Sequence, residues 1–336
     1  MLKPIISSMI YDPKYPVEIS GEWYGSTKPT AMRSVIVKNM FNTAYTTMLG
    51  YTKENGNSKE CEAVRSCLRF SKQFHKPTLD FIRQVFIGLV CPPKHPFNIS
   101  FINLSEILMY RIDSFNTTKN MAVLYIHGGG FVTGNIGGFK GIVSELSNRL
   151  SCPVYFPHYR LVPEYTFNNM ITDVVEAYLY VLSKYDPSRI YIIADSAGGF
   201  LACSLFEFLY VNDIPQPNKA VLYSPVTNLT TKCNTNDDAD AILSSMMLTY
   251  VYSLVKKDYI PTLTYFDKTF PGILIIVGND EILLDNILDY ASNARQYHVD
   301  IRVSVKKNIF HACQCFIDIV PEANEMLDET INFLLE

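Results

Sequence analysis

Short apolar runs alternate with helical stretches from Asn98 onward, and this alternation constrains the fold more than any other feature. It is typical of a mostly parallel β-sheet with helices on both faces. Only four residues, 104–107, join the first two runs. That link is too short for a helical crossover, so the pair should form an antiparallel hairpin at one edge. The eight runs span residues 99–103, 108–112, 122–126, 154–157, 190–193, 220–223, 273–277 and 301–305.

Between the runs, apolar residues recur at intervals of three and four, which predicts helices over 139–150, 171–184, 200–210 and 285–297. Two regions lie outside the alternation. Residues 1–95 hold predicted helices at 31–49 and 77–89, and a second region, about 230–268, holds one predicted amphipathic helix at 237–257. Both could cover the carboxyl ends of the strands. They could also be ordinary packing elements of the core. As a division of the chain we predict a helical cap region over 1–95 and a core over 96–336, with a cap insertion at about 230–268.

Composition excludes several classes of partner. The net charge is −4 and the basic residues are scattered, so neither nucleic acid nor an anionic membrane is an expected partner. The eight cysteines form no C-x-x-C pair or zinc-site spacing, which favours free thiols and no bound metal. Lys3 and Asp12 interrupt the start of the chain, where no apolar stretch is long enough for a signal peptide or a membrane span. A cytoplasmic location is therefore expected.

Two glycine-rich turns each follow a predicted buried strand. His127-Gly-Gly-Gly130 follows the run 122–126, and Ala194-Asp-Ser-Ala-Gly-Gly199 follows the run 190–193 and leads into a helix. Glycine leaves backbone N–H groups accessible, as an oxyanion hole requires. A serine at the tip of a strand–turn–helix is the arrangement of a nucleophile elbow. The two turns predict an acyl-transfer site with Ser196 as the nucleophile.

A serine nucleophile needs an imidazole base, and the base needs a carboxylate to hold its tautomer. Where such a serine occupies an elbow, the acid and then the histidine follow it along the chain. Of the six histidines, only His298 and His311 come late enough. His298 precedes the last predicted strand and should lie at the opposite end of the sheet, whereas His311 follows that strand. We therefore predict His311 as the base.

For the acid, the predicted strand 273–277 runs into a segment with three carboxylates. Asp280 lies where an acid at the end of a strand is expected, and we predict it as the catalytic acid. Its neighbour Glu281 should point elsewhere. Asp285 begins the next helix, where a carboxylate also complements the helix dipole. Asp195, beside the nucleophile, is predicted to be a structural acceptor that supports the elbow.

The predicted oxyanion hole combines the N–H of Ala197 with those of Gly129 and Gly130, and Gly128 is the less favoured alternative. Ala197 begins the helix after the elbow, so its N–H is free of an intrahelical partner. His127 is predicted to brace the glycine loop through hydrogen bonds, not to act as a base.

Taken together, these motifs resemble the hormone-sensitive lipase family of α/β-hydrolase esterases, which includes arylacetamide deacetylase-like enzymes. The resemblance covers roughly residues 97–330 and implies a capped α/β-hydrolase fold. It also implies hydrolysis of carboxylic esters through an acyl-enzyme, without metal or organic cofactor. Arg160 and Glu164 would form a hydrogen-bonded network beneath the glycine loop. The motifs that carry it are 127–131, 159–164, 195–199, Asp280 with Asp285, and His311.

The chain departs from the family at Ala194, where glycine is usual and a methyl group would crowd the elbow. The leading hypothesis is a serine carboxylesterase for short- to medium-chain esters, with a small ester substrate and a possible homodimer. An amidase or deacetylase could use the same triad. The third alternative is a non-catalytic ligand-binding protein, for which Ala194 is the only support.

Overall fold

The strand-like runs of the sequence form one sheet of nine strands in the order β1-β2-β3-β5-β4-β6-β7-β8-β9. The computed structural model describes residues 56–73, 78–80, 82–83, 93–229, 237–255 and 262–336, and the backbone of 19–21. The strands are β1 (Ile19–Gly21), β2 (Phe97–Asn103), β3 (Leu108–Ser114), β4 (Ala122–Ile126), β5 (Val154–Pro157), β6 (Ile190–Asp195), β7 (Lys219–Tyr223), β8 (Gly272–Gly278) and β9 (Ile301–Lys306).

All eight predicted strands are present, and the short β1 extends the sheet beyond them. Strands β4 to β9 pair in parallel, while β1, β2 and β3 form the antiparallel edge, so the predicted hairpin is confirmed. Every residue of β4 and β6 is buried. Helices on both faces of a parallel sheet bury its central strands in this way. The predicted α/β architecture is therefore confirmed.

Seven α-helices accompany the strands in the described part of the chain, and each of the four helices predicted between strands is present. The predicted helix 31–49 and most of 77–89 lie outside the described residues. Every helix within the described ranges is too short or too polar to cross a lipid bilayer. The helices are α1 (Lys59–Lys72), α2 (Ile136–Leu150), α3 (Phe167–Leu182), α4 (Ala197–Val211), α5 (Ser245–Val255), α6 (Leu284–Gln296) and α7 (Pro321–Leu335).

The helix α5 is shorter than the single helix predicted for 237–257, and that prediction is wrong at its start. The carboxylate of Asp240 accepts the N–H groups of Ile242 and Leu243, both at 2.8 Å, which holds this stretch in a turn. The Ser244 hydroxyl then accepts the N–H of Met247 at 3.3 Å. Because a serine in this position satisfies a free amide of the first helical turn, the helix begins only at Ser245.

The parallel strands place three turns at one edge of the sheet. The turn after β6 carries Ser196, the turn after β8 carries residues 279–283, and the loop after β9 carries His311. In open α/β sheets, ligands bind outside the carboxyl ends of the strands. The fold thus brings together segments that lie more than 100 residues apart in the chain. Ser196 and His311, for example, are 115 residues apart and share a hydrogen bond.

Candidate active site

Ser196 occupies a sharp turn between β6 and α4, with φ 51° and ψ −120°. Its N–H donates to the carbonyl of Tyr223 at 2.9 Å, and its carbonyl accepts the N–H of Val226 at 2.8 Å. A non-glycine residue in such a conformation costs about 1–3 kcal/mol and persists only where its surroundings hold it. Ala194 is fully buried in β6, and the elbow forms with alanine at this position.

Two residues after the serine, Gly198 lets helix α4 approach the end of β4. A Cβ atom at Gly198 would lie 2.1 Å from the carbonyl oxygen of Ile126 and 2.5 Å from that of His127. Backbone atoms cannot yield as a flexible side chain can, so this position requires glycine. The close approach fixes the first turn of α4 beneath the glycine loop.

His311 links the serine to a carboxylate. Its Nε2 lies 2.9 Å from Ser196 Oγ, and its Nδ1 lies 2.7 Å from Glu281 Oε2. Both His311 and Glu281 are almost fully buried, at 3% and 1% exposure. In the neutral tautomer that donates from Nδ1 to Glu281, Nε2 is free to accept the proton of the serine hydroxyl. The serine hydroxyl, the imidazole and the carboxylate therefore form one continuous hydrogen-bonded chain.

The acid in this contact is not the predicted one. The Asp280 carboxylate forms an ion pair with Arg65 and lies 3.8 Å from Arg69, so the prediction that Asp280 holds the base is wrong. Glu281 turns inward instead, where its Oε1 accepts the N–H of Gly278 at 2.7 Å.

The hydroxyl of Ser224 donates to the same Oε1 of Glu281, also at 2.7 Å. Two donors on one oxygen and the imidazole on the other hold the carboxylate in one orientation. Sequence reasoning preferred the aspartate because it is closer to the strand end. The extra methylene of glutamate lets a side chain one residue later fold back to the strand, and two adjacent carboxylates in a turn point in opposite directions.

The predicted oxyanion residues surround the serine. Gly129 and Gly130 line the same cavity as Ser196, and Ala197 is the first residue of α4. The N–H of Gly128 donates to Asp195 Oδ1 at 3.0 Å, which removes it from the set of free donors. Gly129 has φ 113°, a conformation that favours glycine.

The residues predicted to brace the loop are buried beneath it. The ring of His127 stacks on Tyr159, with 4.1 Å between centroids, and its Nδ1 donates to the Gly128 carbonyl at 2.7 Å. Burial lowers the pKa of His127 to about 3, so the ring is neutral at physiological pH. Asp195 also accepts the Tyr125 hydroxyl at 3.0 Å, and burial raises its pKa to about 7. Asp195 thus joins the glycine loop to the end of β6, and His127 packs the loop against Tyr159, which follows β5.

Arg160 and Glu164 do not share the network that the resemblance implies. Arg160 pairs with Asp173 on α3 at 2.6 Å, and Glu164 binds Arg83 at 2.6 and 2.7 Å. Arg83 in turn donates to the carbonyl of Val132 at 2.7 Å. Glu164 therefore supports the segment after the glycine loop through an arginine of the N-terminal region. Arg160 anchors the neighbouring segment to a helix.

A largely apolar cavity of about 110 Å³ opens on the serine. One wall is helix α5, which contributes Met247, Leu248, Val251 and Tyr252, and another is Phe316. A methyl group on Gly130 would lie 3.5 Å from Val251, so α5 packs directly over the glycine loop. Within the described ranges, no three His, Cys, Asp or Glu side chains form a metal cluster.

The chain is similar in sequence and in fold to known hydrolases. Residues 123–315 match the family model described as an alpha/beta hydrolase fold. The carboxylesterase/phospholipase LipF of Mycobacterium tuberculosis is 28% identical over 228 residues, covering 63% of this chain and 61% of LipF. The chain thus spans less than two thirds of that relative. An esterase of Acinetobacter venetianus is 26% identical over 270 residues, covering 77% of this chain and 87% of the esterase.

Among solved structures, an esterase from the bacterial hormone-sensitive lipase family superposes with a TM-score of 0.77 at 26% identity. The superposition covers 83% of this chain and 98% of that one.

Proposed function

Because the chain belongs to the α/β-hydrolase family and is hormone-sensitive lipase-like within it, we propose that it is a serine carboxylesterase with Ser196, His311 and Glu281 as its triad. The observation that carries the proposal is the continuous hydrogen-bond chain from Ser196 through His311 to Glu281, at 2.9 and 2.7 Å. Esterase relatives support the reaction class.

In the proposed reaction, His311 accepts the proton of Ser196 as the hydroxyl attacks the ester carbonyl. Glu281 holds the tautomer and stabilises the imidazolium that forms. The N–H groups of Ala197, Gly129 and Gly130 stabilise the oxyanion. The imidazolium then protonates the leaving alcohol, which gives an acyl-enzyme, and water activated by His311 releases the acid.

The cap also belongs to the proposal. We assign the insertion around α5 and the N-terminal region to a cap over the acyl pocket, supported by the four α5 side chains that line the cavity. An apolar cavity of about 150 Å³ accommodates a benzene molecule. At about 110 Å³, this cavity suits an acyl group of only a few carbons.

Hydrolysis of p-nitrophenyl esters of increasing acyl length tests the function and the pocket together. We expect kcat/KM to be highest for the short acyl chains and to fall once the chain exceeds the cavity. A second test is Val251→Ala, which enlarges the cavity beside Gly130 and should move the optimum toward longer acyl chains. Absence of turnover with every ester, in a folded protein, would contradict the esterase assignment and favour an amide substrate or a binding role.

The pH dependence of activity should report His311. Burial by itself would lower its pKa, but the hydrogen bond and charge of Glu281, with the charges of Asp240 and Asp195, raise it above 6.5. A base is active only when neutral. We therefore expect kcat/KM to be lost as the pH falls, with a midpoint above pH 6.5. A midpoint below this value would contradict the expected environment of the base.

The control for this profile is Asp195→Asn, because burial raises the pKa of Asp195 to about 7 and its titration could be mistaken for that of His311. Asparagine keeps an oxygen that can accept the N–H of Gly128 and the Tyr125 hydroxyl. The acidic limb should persist in this variant. Its disappearance would assign the limb to Asp195.

A further inference from the structure

Helix α1 and the residue Asn57 before it contact three segments near the site: the loop before His311, the turn after β8 and the segment before α5. The Asn57 side chain donates to the carbonyl oxygens of Lys307 and Asn308, both at 3.1 Å, on the loop that leads to His311. At the other end of the helix, the Lys72 ammonium donates to the carbonyl of Asp240 at 2.9 Å, ahead of α5.

Between these ends, α1 reaches the turn that carries the triad acid. Arg65 has a nearly buried side chain, at 8% exposure, and its guanidinium is paired with the carboxylate of Asp280. Glu62 lies 3.7 Å from the same guanidinium. A buried charge requires a partner, and Arg65 is the more buried member of this pair, since the side chain of Asp280 is 21% exposed. The pair therefore holds Asp280 facing α1 and away from the imidazole.

The direction of Asp280 constrains its neighbour. The turn from Gly278 to Glu281 closes through a backbone hydrogen bond of 3.3 Å, so rotation of one residue in it alters the next. The N–H after this turn, that of Ile282, donates to Asp240 Oδ2 at 2.9 Å. With Asp280 outward, Glu281 is inward, where its carboxylate meets the imidazole of His311 at 2.7 Å.

We propose that Arg65 is a positioning residue for the triad: by binding Asp280, it fixes the turn in the orientation that presents Glu281 to His311. The inference rests on the proposed function. Neither Arg65 nor Asp280 lines the cavity, so substrate binding is not their contribution. Substitution of either residue should therefore slow the chemical steps and lower kcat.

The test uses Arg65→Met, which keeps the aliphatic volume, together with Asp280→Asn and the double variant. A displacement of about 1 Å at a catalytic group can cost on the order of 100-fold, so we expect each single variant to lower kcat by about 10- to 100-fold. KM should differ from the wild-type value by less than about twofold, because the contacts that bind the substrate equally in the ground state and in the transition state are retained. Arg65→Lys should restore part of the loss.

The double variant separates positioning through Asp280 from independent effects. If Arg65 acts through Asp280, the double variant should lose no more activity than the worse single variant. The control is Arg69→Ala: this arginine lies 3.8 Å from the same carboxylate but its side chain is 44% exposed, and its loss should change kcat by less than about twofold.

Unchanged kcat in Arg65→Met and Asp280→Asn would overturn the inference, even if both variants melt at lower temperature. Multiplicative losses in the double variant would also overturn it. Circular dichroism and thermal melting identify a variant that fails to fold. If Arg65→Met is such a variant, the kcat values of Asp280→Asn and Arg65→Lys test the inference in its place. Failure of the proposed function is distinguishable, because the wild type itself would then neither hydrolyse esters nor react with a fluorophosphonate at Ser196.

Discussion

Ser196→Ala should lower kcat/KM for p-nitrophenyl butyrate by about 10⁶-fold, since removal of a triad serine eliminates covalent catalysis altogether. The hydroxyl is the only atom lost, and the backbone bonds of the elbow to Tyr223 and Val226 do not involve it. The protein should therefore stay folded while turnover disappears. Initial rates measured beside the wild type, with thermal melting of both, give the comparison.

Ser204 provides the matched control for this substitution. It lies on α4, and its buried hydroxyl donates to the Phe200 carbonyl within the helix, at 2.9 Å. Ser204→Ala should retain wild-type turnover. A fluorophosphonate should transfer its phosphonyl group, with loss of fluoride, to the wild type and to Ser204→Ala but not to Ser196→Ala, as the mass of each protein will show. Labelling or substantial turnover in Ser196→Ala would refute Ser196 as the nucleophile.

Glu281→Gln should lower kcat by about 10⁴-fold, because an amide can present its N–H₂ group to Nδ1 and favour the wrong tautomer of the imidazole. Glutamine has nearly the same shape as glutamate, so the buried site at Gly278 and Ser224 should still accommodate it. Asp280→Asn should cost only about 10- to 100-fold, because Asp280 acts on the turn and not on the base. Steady-state kinetics of both variants with one ester decide which carboxylate is the acid.

The two variants should also differ in the pH dependence of kcat/KM. Among the neighbouring groups, Glu281 raises the pKa of His311 most, through its hydrogen bond and its charge. Glu281→Gln should therefore move the acidic limb to lower pH. Asp280→Asn keeps the Glu281 carboxylate and should move that limb much less. If Asp280→Asn were the more damaging variant and moved the limb further than Glu281→Gln does, the acid assigned from sequence would be correct and the contact with Glu281 would not be the productive one.

The sheet and two residues of the proposed triad could be predicted, because the strands have a local signal and the residues of such a triad follow a fixed order along the chain. Short apolar runs define the strands, and the order of serine, acid and histidine leaves His311 alone after the last strand. The acid could not be predicted in the same way. Asp280 and Glu281 are adjacent and chemically alike, and the choice between them depends on Arg65, a residue more than 200 positions earlier in the chain.

Other errors have the same origin. The resemblance implied that Arg160 and Glu164 act together, but each found a different partner, Asp173 on α3 and Arg83 in the N-terminal region. Long-range ion pairs leave no periodicity or spacing in a sequence. The start of α5, by contrast, did have a local signal: Asp240 and Ser244 are typical turn and cap residues, and they outweigh the apolar periodicity around them.

The positive φ of Ser196 has a consequence for how this protein can change over generations. The backbone at this position would suit glycine better than serine, so Ser196 weakens the fold that holds it. Substitutions that relax the elbow would raise stability and end catalysis together. Selection for turnover must therefore act continuously at this position, and a descendant released from that selection should lose its serine early while its sheet endures.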